Sequence, residues 1–525
     1  MGQFKANWRY LFVFPFFLTA ILTSFLAANG IESTSHEALT CYLLLTGISF
    51  FPGLLLMYGG AFLRISLLSF LVILLILSQF KTLPVLPFSL KYRYLIPVLF
   101  ATVASLLYVL RNKLDELVFL VFGLLWIGAF FTPKSSFIHV QEFQPERDAN
   151  SNLPPYVEVV LDEHIGLEGV DPKDAPQLVD QIKNKYINEH FRVFGRAFSR
   201  DVRSIASFSN FLNFKPINDL SPYLNDVTEE DKHSVIKNKL FKALSQQGYH
   251  INVLQSSYLD VCEPQNHVAF KTCVTYKHIA PTPGNPSTGT ITKSVAILKN
   301  IFSILHLEIV YNRLKESKVW ALLDLPKQDD ETLLSPSTAA YKAFPEVLRL
   351  AQNIKRGNAY FIHLLLPHAP YVFNKECQYV GEQQNKTQAY FNQVECTHKL
   401  LTEFLQVVNN NPETANSTII FHGDHGSRIE EPDVRRNYQF TQENIIKNFS
   451  AFFAVKSPLY SAGYDLTELP LDFLLKKIIS GKDIKAEEKT ANFVYLRSRN
   501  QFDLGKMAMP DFRLGQVAGQ PTTTT

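Results

Sequence analysis

"IIFHGDHGSRI", residues 419–429, decides how the chain is read. A β-branched apolar run stops at Gly423, Asp424, His425 and Gly426, placing a hard carboxylate and an imidazole at the end of a buried strand. That is the edge where open α/β sheets collect their ligands. The glycines leave the backbone room. Alone, the stretch also reads as a strand end with a polar turn, and partners elsewhere must decide between the two.

Two such partners exist. "YVEVVLDEHIG" (156–166) is a Val-rich strand ending in Asp162 and Glu163, and "HLLLPHAPYVF" (363–373) follows a third strand with His368. Between them the pattern alternates: a helix in "DAPQLVDQIKNKYINEHF", a strand in "FRVFGRAFS", a helix in "VRSIASFSNFL", a strand in "AYFIHLLLP", and a helix from about Ala389 to Val408. Strands alternating with helices predict a mostly parallel central sheet covered on both faces. Asp162, Asp424 and His425 are then candidate ligands of a divalent metal, zinc or manganese, because carboxylate oxygen with imidazole nitrogen suits these better than calcium or magnesium. The bland alternative is a set of sheet-edge residues satisfied by local hydrogen bonds.

The chain has 525 residues and a net charge of +3, so more than one domain is expected. No basic stripe with interleaved aromatics supports nucleic-acid binding. The mean hydropathy near zero averages two unlike parts, because residues 1–133 are overwhelmingly apolar and the rest has globular composition. We read five spans in the first part: Trp8–Asn29, Ala38–Tyr58, Ile65–Phe80, Tyr94–Leu110 and Leu117–Phe131. A bilayer core needs roughly 20 apolar residues per helix, so the last three are short. Lys5 and Arg9 before the first span, and a following loop without Lys or Arg, place the N-terminus in the cytoplasm and the chain beyond Lys134 outside. Arg64, Arg111 and Lys113 agree with that orientation, whereas Lys81, Lys91 and Arg93 oppose it.

These features divide the chain into a transmembrane helical domain (1–133), a linker (134–155), a catalytic domain (156–500) and a C-terminal tail (501–525). The apolar stretch "SVAILKNIFSILHLEIV" (294–310) is too interrupted by charge to span, and is expected to pack in the core rather than on a membrane surface. Cys262 with Cys273 and Cys377 with Cys396 form two close pairs, which suits an oxidising compartment, although buried free thiols are an equal reading and spacing does not fix connectivity.

Residues 156 to about 460 resemble the sulfatase-like branch of the alkaline phosphatase superfamily, through "VVLDE", "GRAFSRDVRSIASFSNFLNF", "HLLLPHAPYVF", "YFNQVECTHKLL", "GDHGSR" and "FSAFFAVKSP" in that order. With the apolar N-terminal part, the whole chain looks like the membrane-anchored lipoteichoic acid synthases and phosphoethanolamine transferases. The resemblance implies an alkaline-phosphatase-like α/β (sulfatase) domain in which Asp162, with Glu163 as the alternative, and Asp424 and His425 are metal ligands. It places the nucleophile at Ser204, also a metal ligand, with Ser199, Ser207 and Ser209 as competitors. His368 would bind the substrate anion, and the planar fork of Arg428 suits a phosphate or carboxylate. Gln393 and Cys396 match family positions where support is expected rather than chemistry. True sulfatases convert Cys or Ser to formylglycine within CxPxR, and neither Ser204 followed by "IASF" nor "SRDVR" from Ser199 contains that Pro.

The expectation is therefore a metal-dependent phosphotransferase at the extracytoplasmic (periplasmic) face of the inner membrane. It would take a phosphoethanolamine or phosphoglycerol headgroup from a membrane phospholipid and pass it to an envelope glycan or lipid through a covalent serine intermediate. The alternatives are a sulfatase or phosphodiesterase that uses water, and a membrane scaffold without catalysis.

Overall fold

The computed structural model describes residues 8–78, 92–133, 136–145, 147–226, 233–263, 267–281, 290–322, 334–429, 441–485, 490–497 and 503–512. Two compact units result, Met1–Ser136 with Asn285–Leu333, and Phe137–Gly284 with Leu334–Thr525.

In the first unit a 3₁₀ turn (Trp8–Phe12) leads into α1 (Val13–Asn29), followed by α2 (His36–Tyr58), α3 (Ala61–Leu77), α4 (Tyr92–Val109) and α5 (Leu114–Ala129). Gly30 stops α1 in the left-handed region at φ 67°, where a side chain would be strained, and the Ser35 hydroxyl accepts the Ala38 N–H to start α2. Trp8–Asn29 and His36–Tyr58 are long and apolar enough to cross a membrane. The later segments differ from the five-span expectation: α3 is a shorter apolar helix, and α4 and α5 meet at a 67° bend and count as one span at most. The reason is length, since α3, α4 and α5 have 17, 18 and 16 residues and each falls short of a roughly 30 Å hydrocarbon core at about 1.5 Å per residue. Lys5, Lys81 and Lys91, on which the charge argument partly rested, lie outside the described residues.

The second unit is built on a nine-stranded sheet. Its strands in chain order are β1 (Ile138–Glu142), β2 (Tyr156–Leu161), β3 (Arg192–Phe194), β4 (His250–Ser256), β5 (Phe270–Tyr276), β6 (Asn358–Leu364), β7 (Thr418–Gly423), β8 (Phe453–Lys456) and β9 (Gly463–Asp465). They lie in the order β1-β5-β4-β6-β2-β7-β8-β3-β9. From β5 to β7 every neighbour is parallel, while β1, β8 and their partners are antiparallel. Strands β2 and β6 are buried at every residue, as a sheet covered on both faces requires. One face packs on α6 (Leu178–Asn188), α12 (Pro336–Gln352) and α13 (Lys386–Asn409) through Ile182, Tyr186, Ala340, Phe344, Tyr390 and Phe404. The other packs on α7 (Ser204–Leu212), α8 (Lys239–Gln247) and α15 (Leu471–Ile479) through Phe208, Phe211, Phe241 and Leu474. A further helix, α14 (Gln442–Phe449), precedes β8.

Three expectations change. The segment 134–155 carries β1, an edge strand paired with β5, and is not only a linker. Phe493–Arg497 pairs with Asp503–Ala508, so ordered structure continues past residue 500; residues 513–525 lie outside the described residues. The stretch 294–310, assigned to the core of the 156–500 domain, forms most of α9 (Thr290–Ile304) and the start of α10 (Glu308–Lys315), and it groups with the first unit. Ser294 decides this locally: its hydroxyl donates to the Glu37 carbonyl at 3.2 Å, and the Cys41 thiol to the Ser294 carbonyl at 3.4 Å.

Both cysteine pairs are disulfides, Cys262–Cys273 and Cys377–Cys396. The second closes a 19-residue separation between the chain after the third strand end and α13. Its loss through Cys377→Ser with Cys396→Ser is expected to cost about 3 kcal/mol of stability through the freed unfolded chain. Denaturant titration of the full-length protein in detergent checks this, and an unchanged midpoint would show that the bridge does not constrain the chain.

Candidate metal and nucleophile site

Strands β6, β2 and β7 lie side by side, so their C-terminal ends deliver His363, Asp162 and Asp424–His425 to one place. The backbone can close there because two glycines allow it. A Cβ on Gly423 would sit 2.2 Å from the His164 carbonyl oxygen, and one on Gly426 would sit 2.1 Å from that of Lys447. Neither neighbour is a flexible side-chain end, so Gly423→Ala is expected to destabilise the fold by about 1–3 kcal/mol and to displace Asp424. A thermal melt that matches wild type would contradict this.

Helix α7 begins at Ser204, whose hydroxyl therefore stands at a helix N-terminus, beside the positive end of the macrodipole. Its Oγ lies 3.3 Å from Asp162 Oδ2, 3.5 Å from Asp162 Oδ1 and 3.4 Å from His425 Nε2. His425 Nε2 is also 3.4 Å from Asp424 Oδ2 and 3.9 Å from Asp162 Oδ1. All four side chains are buried. Of the competing serines, Ser199 and Ser207 bond to one another and Ser207 donates to the Asp424 carbonyl, while Ser209 donates back along its own helix to Ile205.

The donor set fits a divalent cation. His425 Nδ1 faces the Gly426 carbonyl at 2.8 Å and must carry the proton, so Nε2 presents a lone pair to two carboxylates. Asp424 Oδ1 accepts the N–H groups of Glu163 and His425, whereas its buried Oδ2 has no hydrogen-bond partner among the described residues. A buried carboxylate oxygen without a partner, facing an imidazole lone pair, is costly unless a cation lies between them. The titration behaviour agrees: burial and the neighbouring Asp162 charge push the Asp424 carboxyl up to about 7. Burial also acts on Asp162, but His368, His363 and His425 outweigh it and hold that carboxyl below its usual range. Burial and the nearby Arg428 bring His425 down to about 4, leaving a neutral imidazole, the form that binds a metal.

Glu163, beside Asp162, faces a different group. With φ at 66° it turns its carboxylate to Arg428, whose Nε donates to Oε1 at 2.7 Å and whose Nη2 makes a second, shorter contact. Oε2 accepts the Ala369 N–H at 3.2 Å and the Tyr371 hydroxyl at 3.1 Å. Arg428 Nη2 lies 2.9 Å from His368 Nε2. Burial pushes Glu163 up, and Arg428 and His368 prevail, bringing it down to about 2. Arg428 and His368 keep 17% and 23% of their side-chain surface exposed while Glu163 keeps 1%, so this pair forms the accessible rim of the site.

Several supporting residues escaped the sequence reading. His363 opens the quoted "HLLLPHAPYVF", and its Nε2 lies 3.2 Å from Asp162 Oδ2. Both histidines stand in one short motif, and only the packing of the strand end shows that the first reaches Asp162. On α13, Tyr390 bridges the Glu163 carbonyl and the Ile165 N–H, at 2.8 and 3.0 Å. His398 is hydrogen-bonded to His164 and Tyr186, each at 2.9 Å. Gln393 accepts the Val372 and Phe373 N–H groups and donates to the Pro367 and His368 carbonyls. One helix thus holds both site loops, which bears on the supporting role expected of Gln393.

Carboxylates, imidazoles and a helix-borne hydroxyl are thus collected at the ends of parallel strands. The chain belongs to the sulfatase family, whose model matches residues 157–465, and it is an enzyme of that type. No curated protein matches it in sequence. Similar solved structures include a Bacteroides thetaiotaomicron protein from a locus for metabolism of multiple glycosaminoglycans, at 12% identity and TM-score 0.40, covering 68% of this chain and 83% of that one. An alkaline phosphatase superfamily protein from Vibrio parahaemolyticus has 12% identity and TM-score 0.38, covering 68% and 78%. The C-terminal periplasmic domain of EptC from Escherichia coli has 11% identity and TM-score 0.38, covering 71% and 96%.

Proposed function

We propose that the protein is a membrane-anchored, metal-dependent phosphotransferase that moves a phospholipid headgroup to an envelope glycan or lipid. The observation that carries this reading is Ser204 Oγ, a hydroxyl at a helix N-terminus within 3.5 Å of Asp162 and His425. The surrounding sequence lacks the Pro of the formylglycine pattern, so serine itself is the nucleophile. Asp162, Asp424, His425 and Ser204 would hold the ion, with zinc or manganese the best match to their oxygen and nitrogen donors. Glu163 is paired with Arg428 and also belongs, with Asp162 and His368, to a second group whose ligand atoms could hold an ion. When bound, the ion would lower the pKa of the serine hydroxyl and offset charge on phosphoryl oxygens.

The chain's own groups supply the remainder. Ser204 Oγ attacks the headgroup phosphorus, the bond from phosphorus to the diacylglycerol oxygen breaks, and the serine proton ends on the released diacylglycerol hydroxyl. Arg428 and His368, at the rim, hold the non-bridging oxygens. An acceptor hydroxyl then attacks the phosphodiester on Ser204 and restores the serine. A lipid anchor suits such a donor, because enzyme and substrate share one surface and their effective concentration rises.

Two arguments support an extracytoplasmic, periplasmic side for the catalytic unit. Two disulfides suit an oxidising compartment. Three crossings from a cytoplasmic N-terminus, with α4 and α5 together as the third, would lead to the same side, whereas two would not. Hydrolysis of a sulfate or phosphate ester is the second reading, and membership of the sulfatase family favours it. The two separate when the full-length enzyme is given headgroup-labelled phosphatidylethanolamine or phosphatidylglycerol in vesicles with envelope extract as acceptor. Transfer predicts label on the extract with release of diacylglycerol. Free headgroup phosphate alone, or aryl sulfate turnover exceeding that of any phosphodiester, would make the hydrolase the better reading.

A further inference from the structure

We propose that the inserted helices α10 and α11 (Lys318–Leu322) form a membrane-surface patch that lies on an anionic lipid bilayer. The inference rests on the reading that α1 and α2 cross the membrane, and goes beyond it by giving the insertion a lipid partner.

Depth comes first. The polar turn 30–35 joins two helices long enough to span, so it lies at a membrane surface. Helix α9 is bonded to the first turns of α2 through Ser294 with Glu37 and Cys41, which fixes the insertion close to that surface.

The second observation is which side chains the insertion leaves uncovered. Its own small core is Phe302, Tyr311 and Trp320, with adjacent ring centroids 5.8 Å apart and Tyr311 buried. Ile309, Val310 and Leu314 turn away from that core on α10, and Leu322 does so on α11; Ile309 is 79% and Leu322 84% exposed. The 3.6-residue period puts Ile309, Val310 and Leu314 on one side of α10, with Glu308 and Lys315 on the other.

Charge supplies the third. The insertion from Thr290 to Leu322 carries Lys293, Lys299, Arg313, Lys315 and Lys318 against Glu308 and Glu316. Lys315 and Lys318 line an open groove with Asn312, Glu316, Ser317 and Ala321. Apolar side chains next to ammonium groups at headgroup depth match a bilayer of anionic phospholipid, whose acyl boundary takes the former and whose phosphates take the latter.

The test uses the full-length protein reconstituted into vesicles of phosphatidylethanolamine and phosphatidylglycerol. Cys41 is buried and the other four cysteines are in disulfides, so one introduced thiol can be labelled alone. An environment-sensitive fluorophore is placed separately at Ile309→Cys, Leu314→Cys and Glu308→Cys, and at Leu43→Cys on the exposed face of α2. Doxyl lipid labelled near the headgroup end of the acyl chain is expected to quench the Ile309 and Leu314 positions several-fold more than Glu308. Equal quenching at 308, 309 and 314, with Leu43 quenched by deep doxyl lipid, would overturn the surface patch and leave the spanning reading intact. No quenching at Leu43 would remove both. Disulfide cross-linking of Ile309→Cys between two copies, without lipid quenching, would name a second chain as the occupant and overturn the lipid assignment.

Discussion

Ser204→Ala is expected to abolish headgroup transfer, lowering turnover by about 10³-fold or more while the fold persists. The loss is large because the hydroxyl would form the covalent bond, and among the described residues no other serine occupies its position between Asp162 and His425. Digestion and mass spectrometry after incubation with headgroup-labelled phospholipid should find the label on the wild-type peptide containing Ser204 and on no peptide of the variant. Ser207→Ala is the control: it removes a hydrogen bond to the Asp424 carbonyl, which weakens the site by about 1 kcal/mol, and the label remains. Label that persists in Ser204→Ala, or formylglycine found at residue 204, would end the serine mechanism.

His425→Ala should strip the ion. The imidazole is the nitrogen donor of the proposed set, and without it two buried carboxylates and a hydroxyl remain. Elemental analysis of purified full-length protein is expected to show metal falling more than about tenfold, in keeping with the loss of a direct ligand. Chelation should lower the melting temperature of wild type, because an ion that binds only the folded state stabilises it by mass action, and should leave His425→Ala unchanged. Equal metal content in the two proteins would remove His425, and with it this site, from metal binding.

The candidate site was legible because its residues sit at strand ends, and strand ends are local features. "VVLD" and "IIFHGDH" announce themselves by an apolar β-branched run meeting carboxylate or imidazole, and the structure places both on adjacent parallel strands. The Ser204 assignment was harder, since four serines lie within 199–209 and only α7's first turn turns one of them toward Asp162. Glu163 shows the converse. Its neighbour in sequence is Asp162, yet a positive φ sends its carboxylate to Arg428, 265 residues away in the chain.

The sequence by itself determined the strand and helix alternation, the apolar N-terminal part, the acidic residues of the candidate site with His368 and His425, and which cysteines stand near one another. These follow from side-chain periodicity, residue chemistry and short spacings, all of which are local. Only the tertiary structure decided the pairing of the cysteines, the contact of Glu163 with Arg428, the holding of two loops by α13, and the return of residues 290–322 to the helices at the N-terminus. Each of those depends on groups far apart in the chain, such as Ser294 meeting Glu37 and Cys41, and the side-chain period of one segment carries no record of which distant segment covers it.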